Sequence, residues 1–337
     1  MMDREMEMVK GVKKLVDDIL RVKQGEKVLI VTDTGMDPRI PKLFSIVTAE
    51  RGADPVIMTM KPRAFHGAQP PDHVAGAMKA SDVIFEITSV FVGHGSARFD
   101  ACDAGARYVT LPELDERMLI GPAGLDCNFN ALVPMIEGMA NVVTKGKKMK
   151  ISTLKGTNLT ADIEGRPARG LHGLIHNKGD FAPTPDVEVS VAPNEDTANG
   201  IVVVDGFVVG VGLIEEPIRI TIEKGIAVKI EGGKEARALE KMLKDAKDPN
   251  AFALCEIGLG VNPKANLKLA TTLEAEGTYG TSHIALGGKP WPEARLRAPL
   301  HIDLVFYDVT AEVDGKVIVK DGDVVEEFKK LSLAAFE

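Results

Sequence analysis

The sequence lacks the features that mark several common classes of protein. Its three cysteines, Cys102, Cys127 and Cys255, form no CxxC pair, so neither a disulfide framework nor a thiolate metal site is indicated, and a reducing compartment is expected. No run of about 18 apolar residues is present to cross a membrane. Residues 1–24 are charged and lack the apolar core of a signal peptide. We therefore expect a cytoplasmic protein without a membrane partner.

Positive charge and nucleotide-binding glycines are also scarce. The chain has 41 lysine and arginine residues against 49 acidic ones, a net charge of −8, and no basic stripe with interleaved aromatics. This balance argues against nucleic acid as a partner, because phosphate binding needs clustered positive charge. No GxGxxG motif follows the first apolar segment, so a dinucleotide site is not indicated.

The segments that are present divide the chain into two parts of different character. Residues 1–145 alternate apolar strands with amphipathic helices, beginning with the continuous apolar run 27–33, and this alternation is typical of a doubly wound α/β domain. Residues 146–337 contain short strands separated by glycines and the tight-turn pairs Asp314-Gly315 and Asp321-Gly322. We predict an α/β protein with an N-terminal doubly wound domain and a β-rich, α+β metal-binding domain.

Ionisable residues lie inside apolar segments of the second domain at four places. His301 and Asp303 alternate within one apolar strand and would share a face. Glu188, Glu256 and His283 each stand in a separate apolar segment. Carboxylates and imidazoles without thiolates are the ligands of a divalent transition metal. The alternative is that these buried groups only satisfy one another as structural ion pairs.

The same segments resemble motifs of the M29 family of metallo-aminopeptidases, the aminopeptidase T group. The sequence APNEDTANG follows the Glu188 strand, SHIALG spans residues 282–287, and residues 300–303 match an HxD motif. The resemblance implies a homodimer with two divalent ions, zinc, cobalt or manganese. It implies as their ligands Glu188, Glu256, His283, His301 and Asp303.

This resemblance also implies a hydrolase in which a metal-bound water attacks a small peptide or amide. Thr278 stands where the group has its catalytic glutamate, and Pro290 stands where it has a tyrosine. Glu276, two residues from Thr278, is then the predicted general base. The main functional prediction is a metallo-aminopeptidase-like hydrolase that acts on a small molecule or a short peptide.

A second resemblance supports a different reaction. Residues 219–225 and 316–325 are similar to 2,5-dihydroxypyridine 5,6-dioxygenases, mononuclear iron enzymes that carry a histidine at the position of Glu256. It implies an Fe(II)-dependent ring-cleaving dioxygenase with His301 and Asp303 as ligands and His94 as its acid/base, although that family lacks carboxylates and histidines at the positions of Glu188 and His283. By residue type alone, His283, His301 and Asp303 could also form a two-histidine, one-carboxylate iron site. A third possibility is a non-catalytic protein in which the cluster only binds metal.

Overall fold

The computed structural model describes residues 4–64, 66–121, 123–269, 271–288 and 298–336. The chain groups into two compact units. The first comprises Met1–Cys127, Gly173–Pro185 and Thr271–Leu273. The second comprises Asn128–His172, Asp186–Ala270 and Glu274–Glu337.

Twenty strands are assigned within the described residues, numbered along the chain. They are β1 (Lys27–Asp33), β2 (Asp54–Met60), β3 (Val83–Ile87), β4 (Arg107–Thr110), β5 (Lys148–Ser152), β6 (Asn158–Asp162), β7 (Arg169–Leu171), β8 (Phe181–Pro183), β9 (Glu188–Val191), β10 (Asn199–Val204), β11 (Phe207–Val208), β12 (Gly212–Leu213), β13 (Ile218–Glu223), β14 (Ile226–Glu231), β15 (Leu254–Gly260), β16 (Ser282–Gly287), β17 (His301–Phe306), β18 (Thr310–Val313), β19 (Lys316–Lys320) and β20 (Asp323–Val324).

The α-helices are numbered in the same way. They are α1 (Arg4–Lys13), α2 (Arg39–Glu50), α3 (Asp72–Lys79), α4 (Ser96–Asp103), α5 (Glu116–Ile120), α6 (Phe129–Lys145), α7 (Lys234–Asp245), α8 (Thr272–Gly277) and α9 (Glu326–Lys329). A π-helical turn, Lys14–Ile19, continues α1. Short 3₁₀ turns cover Gly124–Asp126, Pro249–Phe252, Leu267–Leu269 and Leu333–Ala335. No helix among the described residues has the length and apolar character needed to cross a membrane.

The first unit is built around a parallel sheet in the order β2-β1-β3-β4-β8. Its inner strand β1 is buried at every position except Lys27, as its continuous apolar run predicts. Leu29 and Val31 belong to a core cluster that includes residues of α3 and α4, while α2 packs on β1 and β2. The predicted α/β class with a parallel sheet is confirmed.

The second unit contains two antiparallel sheets. One has the order β14-β13-β10-β6-β5-β18-β19-β20, and the other has the order β12-β11-β17-β16-β15-β9-β7. Asp314-Gly315 and Asp321-Gly322 have positive φ angles and form the tight turns on either side of β19, as expected for Asp-Gly pairs. The second sheet carries the polar residues that the sequence singled out.

The grouping of the chain differs in detail from a division at residue 145. Helix α6 groups with the second unit because it packs on β7 and β9. At the closest point, a Cβ added to Gly170 would lie 2.8 Å from Ile136 Cγ2, so α6 lies almost against the backbone of β7. The division into an α/β domain, residues 1–145, and a β-rich domain, residues 146–337, stays a prediction.

Candidate metal centre

The residues predicted as metal ligands lie on neighbouring strands of the seven-stranded sheet. Strands β17, β16, β15 and β9 are adjacent in that order. Strand β17 carries His301 and Asp303, and β16 carries His283. Strand β15 carries Glu256, and β9 carries Glu188. The cross-strand register puts all of these side chains on one face of the sheet. Antiparallel pairing thus brings together residues that are scattered along the sequence.

The distances within the cluster suit shared metal ligands. His301 Nε2 lies 3.3 Å from Asp303 Oδ2 and 3.5 Å from Glu256 Oε2. His283 Nε2 lies 3.0 Å from Glu188 Oε2 and 4.0 Å from Asp303 Oδ1. Atoms that bind one ion at about 2.0–2.2 Å lie about 3–4 Å from each other, so these spacings fit coordination.

Two overlapping ligand sets can be drawn from these five residues. Glu188, Glu256 and His283 can bring one ligand atom each within 4.8 Å of one another, and so can Glu256, His301 and Asp303. Glu256 belongs to both sets. The geometry therefore accommodates either one ion or two ions bridged by Glu256.

Each member of the cluster has a small residue opposite it on one neighbouring strand, although Val305 and Leu171 also lie opposite His283 and Glu188 on their other sides. In the strand register, His301 faces Gly287, Asp303 and Glu256 both face Ala285, His283 faces Gly258, and Glu188 faces Gly260. Gly258 is the most constrained of these, because a Cβ there would lie 2.2 Å from His283 Nε2 and 2.9 Å from Glu188 Oε2. The sheet is thus kept clear of side chains where His283 reaches across to Glu188.

Electrostatics favour positive charge at this site. Burial lowers the pKa of His283, but the charges of Glu188, Asp303 and Glu256 outweigh it and raise that pKa to about 9. At His301, burial also lowers the pKa, and Asp303 and Cys255 raise it well above the ordinary value. Burial raises the pKa of Asp303, whereas the imidazoles His301 and His283 lower it further than burial raises it. Protons on the imidazoles and a divalent metal ion therefore compete for the same buried carboxylates.

The orientation of His301 leaves its Nε2 directed at the cluster. Its Nδ1 lies 3.0 Å from the carbonyl oxygen of Gly288 and 3.6 Å from the Sγ of Cys255. A proton on Nδ1 can donate to that carbonyl, which fixes the tautomer in which Nε2 is the metal ligand.

Glu276 lies beside the cluster near the end of α8. It is nine-tenths buried, and it shares a hydrogen bond with Asp303 that lowers the pKa of Asp303. Burial, followed by the charges of Asp303, Asp186 and Glu188, raises the pKa of Glu276 well above its usual range. Its carboxyl group can therefore hold a proton and donate it to Asp303. Its predicted role as a general base stays a prediction.

Asp186 is a further buried carboxylate that the sequence reasoning did not single out. It is 2% exposed, and burial together with the charges of Glu188, Asp303 and Glu256 raises its pKa well above the usual value. Its Oδ1 has no hydrogen-bond partner within the described parts of the chain. Asp186 and Glu188 are separated by one residue, the same spacing that drew attention to His301 and Asp303, so the signal was present in the sequence.

The remaining candidate residues lie elsewhere. His94 belongs to the first unit, in the loop after β3, where its ring makes an edge contact with Phe91 at 4.2 Å between centroids. The hydroxyl of Thr278 donates a hydrogen bond to the backbone carbonyl of Glu274, which satisfies a carbonyl group near the end of α8. Pro290 lies outside the described residues. The role of His94 as an acid/base stays a prediction.

Replacing Gly258 tests whether the clearance above the sheet is needed. We expect Gly258→Ala to lose the metal bound by Glu188, Glu256 and His283, because the new methyl group occupies the place of the His283 imidazole. Ile257→Val is the matched control, since Ile257 is fully buried on the opposite face and its truncation costs about 1 kcal/mol without touching the cluster. Metal content by elemental analysis and melting temperature measure the two effects. A folded Gly258→Ala protein that binds as much metal as the wild type would show that this clearance is not needed for metal binding.

The raised pKa of His283 predicts a pH dependence of metal binding. Below pH about 9 the metal-free imidazole carries a proton, and a metal must displace it because only the neutral ring coordinates. Because the pKa of the second imidazole ligand, His301, is also raised, affinity should rise with pH up to at least about 9. At neutral pH, binding should release about one proton from this residue. Calorimetric titration with Co(II) in buffers of different ionisation enthalpy measures the release, and binding without proton release would disprove the competition.

Comparison with known proteins identifies the family. The family model described as 2,5-dihydroxypyridine 5,6-dioxygenase matches residues 13–326. A curated 2,5-dihydroxypyridine 5,6-dioxygenase from Pseudomonas putida is 26% identical over 263 residues, which cover 74% of this chain and 72% of that protein.

Two solved structures share the fold. The 2,5-dihydroxypyridine dioxygenase of Pseudomonas putida superposes with a TM-score of 0.79 at 19% identity, covering 96% of this chain and 98% of that one. AmpT from Thermus thermophilus superposes with a TM-score of 0.68 at 16% identity, covering 96% of this chain and 100% of that one. The scaffold is thus common to the dioxygenase and to aminopeptidase T.

These matches overturn the main functional prediction. The classification as a hydrolase, aminopeptidase or metalloprotease is wrong, because the family model and the curated relative both belong to the dioxygenases. The error has a physical cause: carboxylate and imidazole ligands establish that a metal can bind, but they do not specify the reaction. Thr278 and Pro290, which replace the peptidase glutamate and tyrosine, were the contrary signal. The chain belongs to the 2,5-dihydroxypyridine 5,6-dioxygenase family.

Proposed function

We propose that this protein is an Fe(II)-dependent dioxygenase that opens the ring of a small dihydroxylated pyridine or a closely related hydroxylated aromatic. The observation that carries the proposal is the family match over residues 13–326, a span that includes the whole metal-ligand cluster. The curated relative is named for cleavage between ring atoms 5 and 6 of 2,5-dihydroxypyridine. A substrate of this class is small and planar and carries hydroxyl groups that can lose protons.

The residues present fit a ferrous ion. His301, Asp303 and Glu256 form one of the two sets whose ligand atoms lie within 4.8 Å of one another, and we assign the catalytic ion to them. Nitrogen and oxygen donors suit iron, although this set has one histidine and two carboxylates where the common set of non-haem iron has two histidines and one carboxylate. Three protein ligands leave positions open for other ligands. When bound, iron supplies the one-electron chemistry that allows O₂ to react with an aromatic ring. Glu188 and His283, together with Glu256, could bind a second metal ion.

Glu276 and His94 would hold and transfer protons. Glu276 donates its hydrogen bond to Asp303 and so keeps that carboxylate oriented toward the ligand set. Opening a hydroxylated ring also requires a group that removes a proton from a substrate hydroxyl and returns it later. We assign this role to His94, because it follows a strand of a parallel sheet at the end where α/β proteins place their sites.

Glu256 distinguishes this chain from the dioxygenases that it resembles, which carry a histidine at that position. A carboxylate in place of an imidazole adds negative charge beside the ion and stabilises the oxidised metal relative to the reduced one. The substitution leaves the number of ligands unchanged. We therefore expect the same class of reaction with an iron site of lower reduction potential.

Variants at position 256 test the ligand assignment. Glu256→Ala should lower the affinity for iron by more than the about 10-fold to 100-fold that loss of an outer-shell partner costs, whereas Glu256→His should retain iron and shift the reduction potential upward. Iron content and electrochemical titration under anaerobic conditions measure both quantities. Full iron retention in Glu256→Ala would remove Glu256 from the ligand set.

Oxygen consumption tests the reaction itself. Iron-loaded wild-type protein should consume one O₂ for each molecule of 2,5-dihydroxypyridine and abolish the ultraviolet absorbance of the ring. His94→Gln should lower kcat by about 10²-fold to 10⁴-fold with unchanged iron content, as expected for loss of an acid/base group. His73→Gln, at an exposed position of α3, is the control and should match wild type.

Each result bears on a separate part of the proposal. Wild-type protein that binds iron but consumes no oxygen with hydroxylated pyridines would refute the dioxygenase function. Full activity of His94→Gln would refute only the role of that histidine.

A further inference from the structure

A fully buried glutamate that is not a metal ligand lies in the parallel sheet of the first unit. Glu86 belongs to β3, a strand that is buried at every position, and none of its own surface is exposed. An apolar side chain of similar size would avoid the cost of removing a carboxyl group from water. The hydrogen bonds of Glu86 indicate why a polar group is needed at this depth.

Glu86 holds the loop that carries His94. This loop, which we call the His94 loop, comprises residues 88–95 and joins β3 to α4. The backbone N–H of Val92 donates to Glu86 Oε1 at 2.7 Å. The hydroxyls of Thr88 and Tyr108 donate to the same carboxyl group at 3.0 Å and 2.7 Å. Because a buried backbone N–H needs an acceptor, Glu86 fixes the peptide group two residues before His94.

Arg98, on α4, holds the next residue of the His94 loop. Its Nε donates to the carbonyl oxygen of Gly93 at 2.8 Å, and the residue is only 6% exposed. The guanidinium also contacts two aromatic rings, with Cζ 3.5 Å from the ring centroid of Phe99 and 4.3 Å from that of Phe181. Contacts of this kind restrict the orientation of the side chain. Two consecutive residues before His94 are thus held by buried side chains.

The His94 loop is held at two further points. Asp33, which is 2% exposed, accepts hydrogen bonds from the backbone N–H of Ser89 at 2.8 Å and from its hydroxyl at 2.9 Å. The carbonyl oxygen of Phe91 accepts from the N–H of Gly67 at 2.6 Å. The Phe91 ring in turn makes the edge contact with the His94 ring. The loop is therefore fixed along its length and not only where it joins β3 and α4.

Gly93 shows how closely the loop fits against these groups. A Cβ at this position would lie 2.9 Å from Glu86 Oε2 and 2.6 Å from Phe91 Cε2. Any side chain here would displace either the carboxyl group that holds the loop or the ring that contacts His94. The absence of a side chain at Gly93 is thus part of the same arrangement.

We propose that Glu86 and Arg98 are positioning residues for the His94 imidazole. By fixing the peptide groups of Val92 and Gly93, they hold the ring in the orientation that proton transfer requires. The inference rests on the proposed acid/base role of His94. Proton transfer needs donor and acceptor atoms about 2.6–3.2 Å apart, so a displacement of the loop by about 1 Å slows the reaction. Glu86 and Arg98 themselves exchange no proton with the substrate.

Substitution of Glu86 tests the proposal by kinetics. Glu86→Leu removes the acceptor of the Val92 N–H and should lower kcat by about 10-fold to 100-fold, with KM and iron content close to wild type. Glu86→Gln keeps an acceptor oxygen of the same reach and should restore most of kcat. Ile84→Val, at another fully buried position of β3, is the matched control and should lower the melting temperature without changing kcat.

A double-mutant cycle separates positioning from a general structural role. If Glu86 acts through His94, Glu86→Leu should lower kcat in the wild-type background and leave it unchanged in the His94→Gln background. Equal losses in the two backgrounds, or wild-type kcat in Glu86→Leu, would overturn the proposal. Arg98→Lys keeps the charge but places a carbon at the position of Nε, and it provides the same cycle if Glu86→Leu does not fold.

Amide hydrogen exchange tests the anchoring independently of the reaction. Mass spectrometry of peptides that cover the His94 loop should show exchange at least about tenfold faster in Glu86→Leu than in wild type, and wild-type rates in Glu86→Gln. Unchanged exchange in Glu86→Leu would overturn the proposal. Full activity of His94→Gln together with faster exchange in Glu86→Leu would instead refute the role of His94 and leave the anchoring of the loop in place, so the two failures are distinguishable.

Discussion

The chemistry of this protein depends on the cost of burying negative charge. Glu188, Glu256 and Asp303 are each less than a tenth exposed, and Asp186 and Glu276 add two more buried carboxyl groups nearby. Carboxylates at such depth are stable only when positive charge or protons neutralise them. The two histidines supply part of that charge, and a divalent ion supplies it more completely. The sheet, its small residues and the α8 helix end can all be understood as the means of holding these groups together.

Small residues make this concentration of charge possible. A sheet normally fills the space above it with side chains, but here each ligand has a glycine or an alanine across from it on one neighbouring strand. The end of α8 follows the same rule, because a Cβ on Gly277 would lie 3.1 Å from Asp186 Oδ1. Glycine backbone, without a side chain, thus lies next to the charged groups of His283, Glu188 and Asp186. The site is shaped by residues without chemistry of their own as much as by its ligands.

Much of the fold and part of the site could be predicted from the sequence. The apolar run 27–33 located β1 at its observed residues, and alternate spacing placed His301 and Asp303 on one face. Strand adjacency was beyond reach, because the pairing of β9 with β15 joins segments far apart in the chain and depends on the whole sheet. The importance of Gly258 was hidden for the same reason, since a glycine reveals its role only when its cross-strand neighbour is known. The reaction could not be deduced from the ligands, because carboxylates and imidazoles bind metal ions in hydrolases and in dioxygenases.

The order of strands in the metal-binding sheet has a consequence for how the centre assembles. Strands β15, β16 and β17 pair in sequence as an antiparallel meander, and this meander alone carries Glu256, His301 and Asp303. Glu188 joins only when β9 docks along the outer side of β15. The set of Glu256, His301 and Asp303 is therefore complete within these three consecutive strands, whereas the set with Glu188 also requires β9, which is distant in the sequence. Loss of the β9 pairing would remove Glu188 from one ligand set and leave the other set complete, so the two sets depend on different parts of the sheet although they share Glu256.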